Sequence, residues 1–369
     1  MQLLSKSVSD RVAVLLAIAA TACSLSSVPV WGQEASPPEI IIETESPEID
    51  ESDTPLEVIP ESTALNAWKR VRLVHALLKH QGSIDSLVFS PDSSILISGG
   101  GSNDARLVFW SVETGKRLDK LRAQKTAVST LAIAETSNLL VSGGEDSEIH
   151  VWDWQSGQYQ AALLQHRASV TSLKIAPDGK TLISGASDGI KVWDLSTLPY
   201  SPLYTLTELG NSTNKVAISP NGHLLASGND DGRVQFWDLR SGTFISEFVP
   251  HQEPISGIAF SQEGNVLITA SHDRTVKLWD LESGQLLQEL TGHSGEIRTI
   301  ALHPYRNILA TGGKDGIILW NLERGEILTR LRASEGWIQS LAFSPNGQYL
   351  ASGGFDLTVR VWEDALSNY

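Results

Sequence analysis

Short apolar runs alternate with turn residues along most of this chain of 369 residues. Segment 255–290 holds four such runs, rich in Val, Ile, Leu and Phe, separated by the turns Glu263-Gly264, Ser271-His272-Asp273 and Glu282-Ser283-Gly284. Apolar runs between such turn residues predict strands joined by tight connections, and none is long enough for a typical helix. The segment therefore predicts a four-stranded antiparallel sheet.

Polarity within the runs indicates which strands are enclosed. Before Trp279, the side chains of Val276 and Leu278 fall on one face, whereas Lys277 and Trp279 fall on the other. The run 266–271 is apolar on both faces, as expected for a strand with other layers on both sides. Such sheets must therefore stack face to face.

Tryptophan recurs at a nearly constant spacing. The intervals are 42, 41, 44, 42, 41 and 42 residues between Trp110, Trp152, Trp193, Trp237, Trp279, Trp320 and Trp362. Helix or strand geometry alone does not produce such a period, so one supersecondary unit has been copied and each copy buries its faces against its neighbours. The predicted fold class is all-β, with seven sheets arranged as a ring.

The motifs of each copy resemble WD40 repeats. Trp-Asp stands at 152–153, 193–194, 237–238 and 279–280, and Phe-Ser-Pro stands at 89–91 and 343–345. Seven copies in register make the resemblance specific. It covers roughly residues 70 to 364 and implies a seven-bladed WD40-type β-propeller over residues 67–369.

The resemblance also implies a buried polar network in each blade. The indole N–H donates to a hydroxyl, the hydroxyl to an imidazole, and the imidazole to an Asp, so every buried donor is satisfied. The complete sets are His80, Ser98, Asp104 and Trp110; His166, Ser184, Asp188 and Trp193; His251, Thr269, Asp273 and Trp279; and His293, Thr311, Asp315 and Trp320.

Three copies depart from this pattern at the His position. They hold Gln124, Leu209 and Ser334 instead, and they keep the Asp as Asp146, Asp231 and Asp356. Because the Asp then lacks its imidazole partner, we expect lower local stability in the second, fourth and seventh blades.

Ring closure is expected to use the N-terminal strand. The chain ends seven residues after Trp362, and residues 72–78 match 284–290, the fourth strand that precedes His293. We therefore expect residues 72–78 to complete the last blade, which removes the free edge of an open sheet.

The segment before the propeller is acidic. Residues 33–66 hold ten Asp and Glu, no Lys or Arg, and five prolines, which predicts an extended disordered linker; an acidic docking tail is the alternative. This linker accounts for −10 of the formal net charge of −15 and residues 1–32 carry +1, so the propeller carries −6. Such a charge argues against a nucleic-acid partner, which requires a basic face.

Residues 1–32 have the layout of an export signal. Lys6 and Arg11 precede the apolar run 12–22, which is shorter than the ~20 residues of a membrane span. Cleavage after Gly32 would give a signal peptide and an exported, bacterial-type protein in the periplasm or envelope. Two alternatives remain: an uncleaved anchor, or a lipoprotein tethered to the membrane through Cys23, the single cysteine, since 20–23 resembles a lipobox.

No catalytic or cofactor motif stands out in the sequence. The repeated Ser/Thr–His–Asp sets resemble hydrolase triads, but four copies of the same set indicate structure rather than an active site. The sequence lacks a Walker loop and a His-Glu-x-x-His motif. We therefore expect no enzyme activity, no cofactor and no metal site.

Binding is expected on the face that carries the turns between second and third strands. The residue before each turn Asp samples this face; these residues are Asn103, Glu145, Ser187, Asp230, His272, Lys314 and Phe355. Phe355 is the apolar one, and the same copy places Trp337 where the sixth has Glu296. Aromatic residues are enriched at binding hot spots. The candidate site is therefore Trp337 and Phe355 with Lys314, His272 and Glu335, unless Trp337 instead fills the space beside Ser334.

The leading hypothesis is a monomeric, non-catalytic scaffold that binds a protein or peptide on this face. The alternative hypotheses are a periplasmic enzyme framed by a propeller and a ligand-binding or structural module. Convergent acids or metal ligands on the channel face would favour the enzyme, and the copies supply none in register.

Overall fold

The computed structural model describes residues 68–206, 212–332 and 336–365. The predicted signal segment 1–32 and linker 33–66, together with Cys23, Leu209, Ser334 and Glu335, lie outside the described residues. Within the described ranges the chain is all-β, which confirms the predicted fold class.

Seven four-stranded antiparallel sheets follow one another along the chain. The first blade contains β2 (Ile84–Phe89), β3 (Ile95–Gly100), β4 (Arg106–Ser111) and β5 (Arg117–Arg122). The second contains β6 (Thr130–Ile133), β7 (Leu139–Gly143), β8 (Ile149–Asp153) and β9 (Gln158–Leu163). The third contains β10 (Val170–Ile175), β11 (Thr181–Ala186), β12 (Gly189–Asp194) and β13 (Ser201–Leu206). The fourth contains β14 (Thr213–Ile218), β15 (Leu224–Asn229), β16 (Val234–Asp238) and β17 (Thr243–Phe248).

The remaining strands form blades five to seven. The fifth blade contains β18 (Ile255–Phe260), β19 (Val266–Ser271), β20 (Thr275–Asp280) and β21 (Leu286–Thr291). The sixth contains β22 (Ile297–Leu302), β23 (Ile308–Gly313), β24 (Gly316–Asn321) and β25 (Glu326–Leu331). The seventh contains β26 (Ile338–Phe343), β27 (Tyr349–Gly354), β28 (Thr358–Asp364) and, from the other end of the propeller, β1 (Val71–Leu78).

The ring closes as the sequence predicted. β1 pairs antiparallel with β28, so that Leu73 lies opposite Trp362 and Leu77 opposite Val359. The pairing continues beyond the strands, because the backbone N–H of Ala365 donates to the carbonyl of Arg70 at 2.8 Å. The seventh blade thus gains its fourth strand from the N-terminal side.

The core lies between the blades. The described residues contain seven apolar clusters, each of which joins two neighbouring blades around the ring. Second-strand glycines permit the closest approach: a Cβ at Gly228 would lie 2.4 Å from the Ile255 side chain of the next blade. The first strands of adjacent blades contact one another, so they form the innermost ring and line a central channel.

Trp68 anchors the start of the closing strand. Its indole is 1% exposed and lies edge-on to Phe343, with ring centroids 5.1 Å apart, and to His303 at 6.2 Å. His303 accepts the N–H of Tyr305 at Nδ1 and contacts the carbonyl of Gly347 through Nε2, both at 3.1 Å. Burial lowers the pKa of His303 to about 4, so this imidazole is neutral at pH 7.

Within the described residues no helix is long and apolar enough to span a membrane.

Replacing Trp68 should test whether the anchor holds the ring closed. Trp68→Ala removes a fully buried side chain from the cluster between blades six and seven, so we expect a loss of about 3–5 kcal/mol in the free energy of unfolding. Urea denaturation measures this change. Leu78→Ala on the same strand, whose side chain is 63% exposed, serves as the control and should change stability little. Equal stability of the wild type and Trp68→Ala would show that the anchor is dispensable.

Candidate functional site

Four blades contain the hydrogen-bonded chain that the resemblance implies. In the first blade, Trp110 Nε1 donates to Ser98 Oγ at 2.8 Å, Ser98 Oγ lies 2.7 Å from His80 Nε2, and His80 Nδ1 lies 2.7 Å from Asp104. The third, fifth and sixth blades repeat this arrangement, with the imidazole–carboxylate distance between 2.6 and 2.7 Å. Each set links the second and third strands of its blade, and the turn between them, to the loop that enters the blade.

Burial fixes the charge state of these networks. Desolvation lowers the pKa of His80, His166 and His293, although their Asp partners oppose the shift, so the neutral imidazole is favoured. For Asp273, burial alone would raise the pKa, but hydrogen bonds from His251 and Thr275 outweigh it and hold the pKa at about 2. A neutral imidazole that donates to a carboxylate is the arrangement expected from the resemblance.

The hydroxyls of these networks are inaccessible to a substrate. Ser98, Ser184, Thr269 and Thr311 are 0% exposed. A serine or threonine nucleophile must reach a substrate carbonyl, so these four sets are structural rather than catalytic.

One bond of the network is present in all seven blades. The indole N–H of the repeated tryptophan donates to the second-strand hydroxyl in each copy, including Trp152 to Ser142 at 3.0 Å, Trp237 to Ser227 at 3.4 Å and Trp362 to Ser352 at 2.9 Å. The blades without the histidine therefore retain the tie between their second and third strands.

The blades that lack the histidine form other contacts at the histidine position and at the turn Asp. In the second blade, Gln124 enters the histidine position and donates to the carbonyl of Ser142 at 3.0 Å, but Asp146 Oδ1 has no partner among the described residues. In the seventh blade, Arg360 pairs with Asp356 at 2.6 Å. This arginine, two residues before Trp362, therefore pairs with the carboxylate that has no imidazole partner in this blade.

In the fourth blade, the side-chain amide of Asn229 holds the turn between the second and third strands. Asn229 Oδ1 accepts the backbone N–H groups of Asp231 and Arg233, both at 3.0 Å, and Asp231 itself is exposed. Asn229 therefore takes the role in this turn that the sequence assigned to the carboxylate of Asp231.

The loop face is the face that carries the turns between second and third strands. Among the residues that the sequence placed there, Asn103, Glu145, Ser187, Asp230, Lys314 and Phe355 are exposed and His272 is partly buried. Phe355 is 52% exposed and is joined in its turn by Leu357, which is 37% exposed. Phe355 also donates its backbone N–H to the carbonyl of Trp337 at 3.1 Å, so the two aromatic residues are neighbours.

Two cations from the sixth blade cover the ring of Trp337. The guanidinium carbon of Arg298 lies 4.5 Å from the ring centroid and the ammonium of Lys314 lies 5.8 Å from it. Both distances are within the range of a cation–π contact. Trp337 is partly buried as a result, and it is oriented by these contacts with the sixth blade.

His272 reaches this cluster through a carboxylate. Its Nδ1 lies 3.9 Å from Glu296, which in turn accepts from Arg298 at 2.8 Å. Desolvation and the Arg298 charge lower the pKa of His272. Trp337, Phe355, Lys314 and His272 therefore lie on connected parts of one surface, while Glu335 is outside the described residues.

Arg298 is the residue of this site that sequence reasoning missed. Each of the other six copies has a serine, threonine, asparagine, glutamine or aspartate at this position of the first strand. A comparison of that single position among the seven copies would have identified the exception.

Metal binding finds no support in the described part of the chain. No three His, Cys, Asp or Glu side chains of residues 68–206, 212–332 and 336–365 are grouped so that they could hold an ion.

Comparison with known families agrees with this geometry. A family model described as the IFT122 first beta-propeller matches residues 83–279, more than half of the chain, and the model of the WD domain, G-beta repeat, matches residues 284–321 and 325–363. The chain belongs to the WD40 family of β-propellers, whose members typically act as interaction scaffolds without catalytic activity.

Curated relatives match over shorter stretches. Periodic tryptophan protein 2 homolog of Dictyostelium discoideum is 37% identical over 60 residues, which is 16% of this chain and 6% of that protein. Pre-mRNA-processing factor 19 of Bos taurus is 26% identical over 192 residues, or 51% of this chain and 29% of that protein. The matched segments thus span less than a third of the length of these relatives.

The tetrads should contribute more stability than the incomplete sets. Asp273→Ala leaves the buried His251 and the partly buried Thr275 without their carboxylate, so we expect a loss of about 1–3 kcal/mol in the free energy of unfolding. Asp146→Ala, in the blade with Gln124, should cost less because one of its carboxylate oxygens already lacks a partner. Chemical denaturation of both variants measures the difference. Equal losses would contradict the assignment of the tetrads.

Proposed function

We propose that this protein is a non-catalytic scaffold that binds a protein or peptide on the loop face, at a patch formed by Phe355, Leu357 and Trp337. The observation that carries the proposal is the exposure of Phe355 and Leu357 in a turn of an otherwise polar face. Family membership supports it, because WD40 propellers typically act through protein partners.

The position of these apolar side chains distinguishes them from the others on the surface. Among the large exposed apolar residues in the described ranges, most lie on or beside the fourth strands at the outer rim, and Phe355 and Leu357 alone lie in a turn between second and third strands. Scattered apolar residues at a rim need no explanation. A cluster beside cations and an aromatic ring is typical of a binding site.

The chemistry around the patch favours a partner with both apolar and acidic groups. Phe355 offers an apolar anchor, and Lys314 is exposed beside Trp337. Arg298 is already paired with Glu296 and packs on Trp337, so it orients the indole. A peptide with a large apolar side chain next to a carboxylate would match this arrangement.

Truncation of the exposed aromatic should weaken partner binding. A partner would first be isolated with the wild-type chain from extracts of the native host, and its affinity would then be measured against Phe355→Ala. We expect a loss of at least about 2 kcal/mol, or about 30-fold in Kd, because an anchor aromatic contributes at least this much.

Three variants control this experiment. Phe244→Ala removes an aromatic side chain that is 49% exposed on β17, and Ser187→Ala and Asn103→Ala change other turns of the loop face. All three should bind normally. If Phe355→Ala retained full affinity for a partner that Ser187→Ala or Asn103→Ala lost, the patch would be the wrong surface.

We further propose that the chain is exported and acts in the periplasm or envelope. The support comes from the sequence of residues 1–32, with Lys6 and Arg11 before the apolar run 12–22, and from the acidic linker 33–66 that follows. Cys23 provides an alternative route, in which lipidation tethers the propeller to a membrane.

N-terminal analysis of the native protein tests export. We expect the mature chain to begin near Gln33, or to be blocked by lipid at Cys23, because each follows from processing of the same segment. Mass spectrometry of the protein from fractionated host cells distinguishes the two. An intact Met1 in the cytosolic fraction would contradict export.

A further inference from the structure

The mouth of the central channel is a polar cavity built from one position of the repeat. It has a volume of about 320 Å³, and each blade contributes the residue near the start of its first strand. These residues are Asp85, Ser129, Thr171, Asn214, Ser256, Arg298 and Gln339. In six blades the register between the first and second strands shifts at this residue. Such a shift marks a β-bulge, and a bulge can turn a side chain towards the channel.

Lys215 departs from the repeat at the position that follows Asn214 in the first strand of the fourth blade. In the first three blades this position holds a hydroxyl that accepts a backbone N–H from the following blade: Ser86 from Leu131 at 2.9 Å, Thr130 from Leu173 at 3.1 Å and Ser172 from Val216 at 3.1 Å. The fourth blade has Lys215 there, and its side chain lines the cavity instead.

Lys174 departs from the repeat at another position of the innermost strands, on β10 of the third blade. Five of the other six blades have alanine there, and the first blade has Val88. Lys174 lies between Leu173 and Ile175 on an innermost strand, and its side chain is accessible although protein surrounds it. A side chain that faces a solvent-filled channel has both properties. Because five blades hold the small alanine side chain here, the packing of the innermost strands does not require a lysine.

Within the part of the chain that the structure describes, the ammonium groups of Lys174 and Lys215 make no hydrogen bond or ion pair. Burial lowers the pKa of both lysines, and for Lys215 the nearby charge of Lys174 lowers it further while Asp85 opposes the shift. Two like charges held near one another repel each other, and an anion between them would remove that repulsion.

Other polar atoms of the cavity also lack partners. Asp85 Oδ1, Ser256 Oγ and Arg298 Nε are buried without a hydrogen bond among the described residues. Buried polar atoms are normally satisfied, so a group of three in one cavity requires an explanation. A ligand that carries both oxygens and hydroxyl donors would match the two ammonium groups, the arginine and the carboxylate.

We propose that the mouth of the central channel is a binding site for a small oxyanion, a phosphate or a carboxylate, held by Lys174 and Lys215. The anion accepts hydrogen bonds from the two ammonium groups, and Ser256 and Arg298 complete the contacts from the adjacent fifth and sixth blades. Asp85 receives a hydroxyl donor of the same ligand. The site takes a free small molecule, whereas the patch at Phe355 takes a protein or peptide.

The repeat itself supplies the variants for a test. Lys215→Ser restores the hydroxyl that other blades carry, and Lys174→Ala restores the alanine of five blades, so neither should impair folding. Lys180→Ala changes an exposed lysine in the turn between β10 and β11 and serves as the matched control. Thermal unfolding of each variant would verify the fold before binding is measured.

Isothermal titration with inorganic pyrophosphate and, separately, with citrate tests the site on the purified chain. We expect saturable binding of at least one ion, about tenfold weaker or more in each single variant, abolished in the double variant and unchanged in Lys180→Ala. Binding of pyrophosphate alone would assign a phosphate, citrate alone a carboxylate, and both a general oxyanion site. Affinities weaker than about 1 mM for both ions, or undiminished affinity in a folded double variant, would overturn the proposal.

Discussion

The pairing of β1 with β28 is the constraint on which the rest of this ring depends. Each blade buries both faces against its neighbours, and the closing strand with the segment before it contributes to the apolar clusters on both sides of the seventh blade. Trp68 strengthens the pairing from outside the strand, since it fills the cluster between blades six and seven. The closing strand is thus held by backbone hydrogen bonds along its length and by apolar burial at its start.

Within that ring, the blades share one polar bond and differ in the others. The indole-to-hydroxyl bond occurs in all seven copies, from Trp110 to Trp362, and fixes the second strand to the third. The histidine and aspartate extend this bond to the loop face in four blades. Where the histidine is absent, Gln124 and Arg360 form other contacts, so the loop face varies while the inner strands stay constant.

This division explains where function can arise on a repeated scaffold. Positions that repeat are required by packing or by hydrogen bonding, and departures from the repeat are free to serve a ligand or a partner. Phe355, Arg298, Lys215 and Lys174 are such departures, and they lie on the loop face or in the channel that opens onto it. Arg298 belongs to both places, because it lines the channel mouth and packs on Trp337.

The sequence by itself determined the fold, because each copy carries its strands, turns and network residues at fixed spacing. The period of the tryptophans predicted seven blades, and the match of residues 72–78 to other fourth strands predicted the closure. The sets around Trp110, Trp193, Trp279 and Trp320 were identifiable in the same way. Local pattern is sufficient for these features since every copy repeats the same contacts.

Only the tertiary structure decided how residues from different blades meet. The contact of Arg298 with Trp337 and the burial of Trp68 against His303 join segments that the repeat does not pair. The pairing of Arg360 with Asp356 also depends on side-chain orientation at one particular turn. Such contacts follow from the curvature of the ring, which brings distant positions to one channel and one face, and no periodicity in the chain records that curvature.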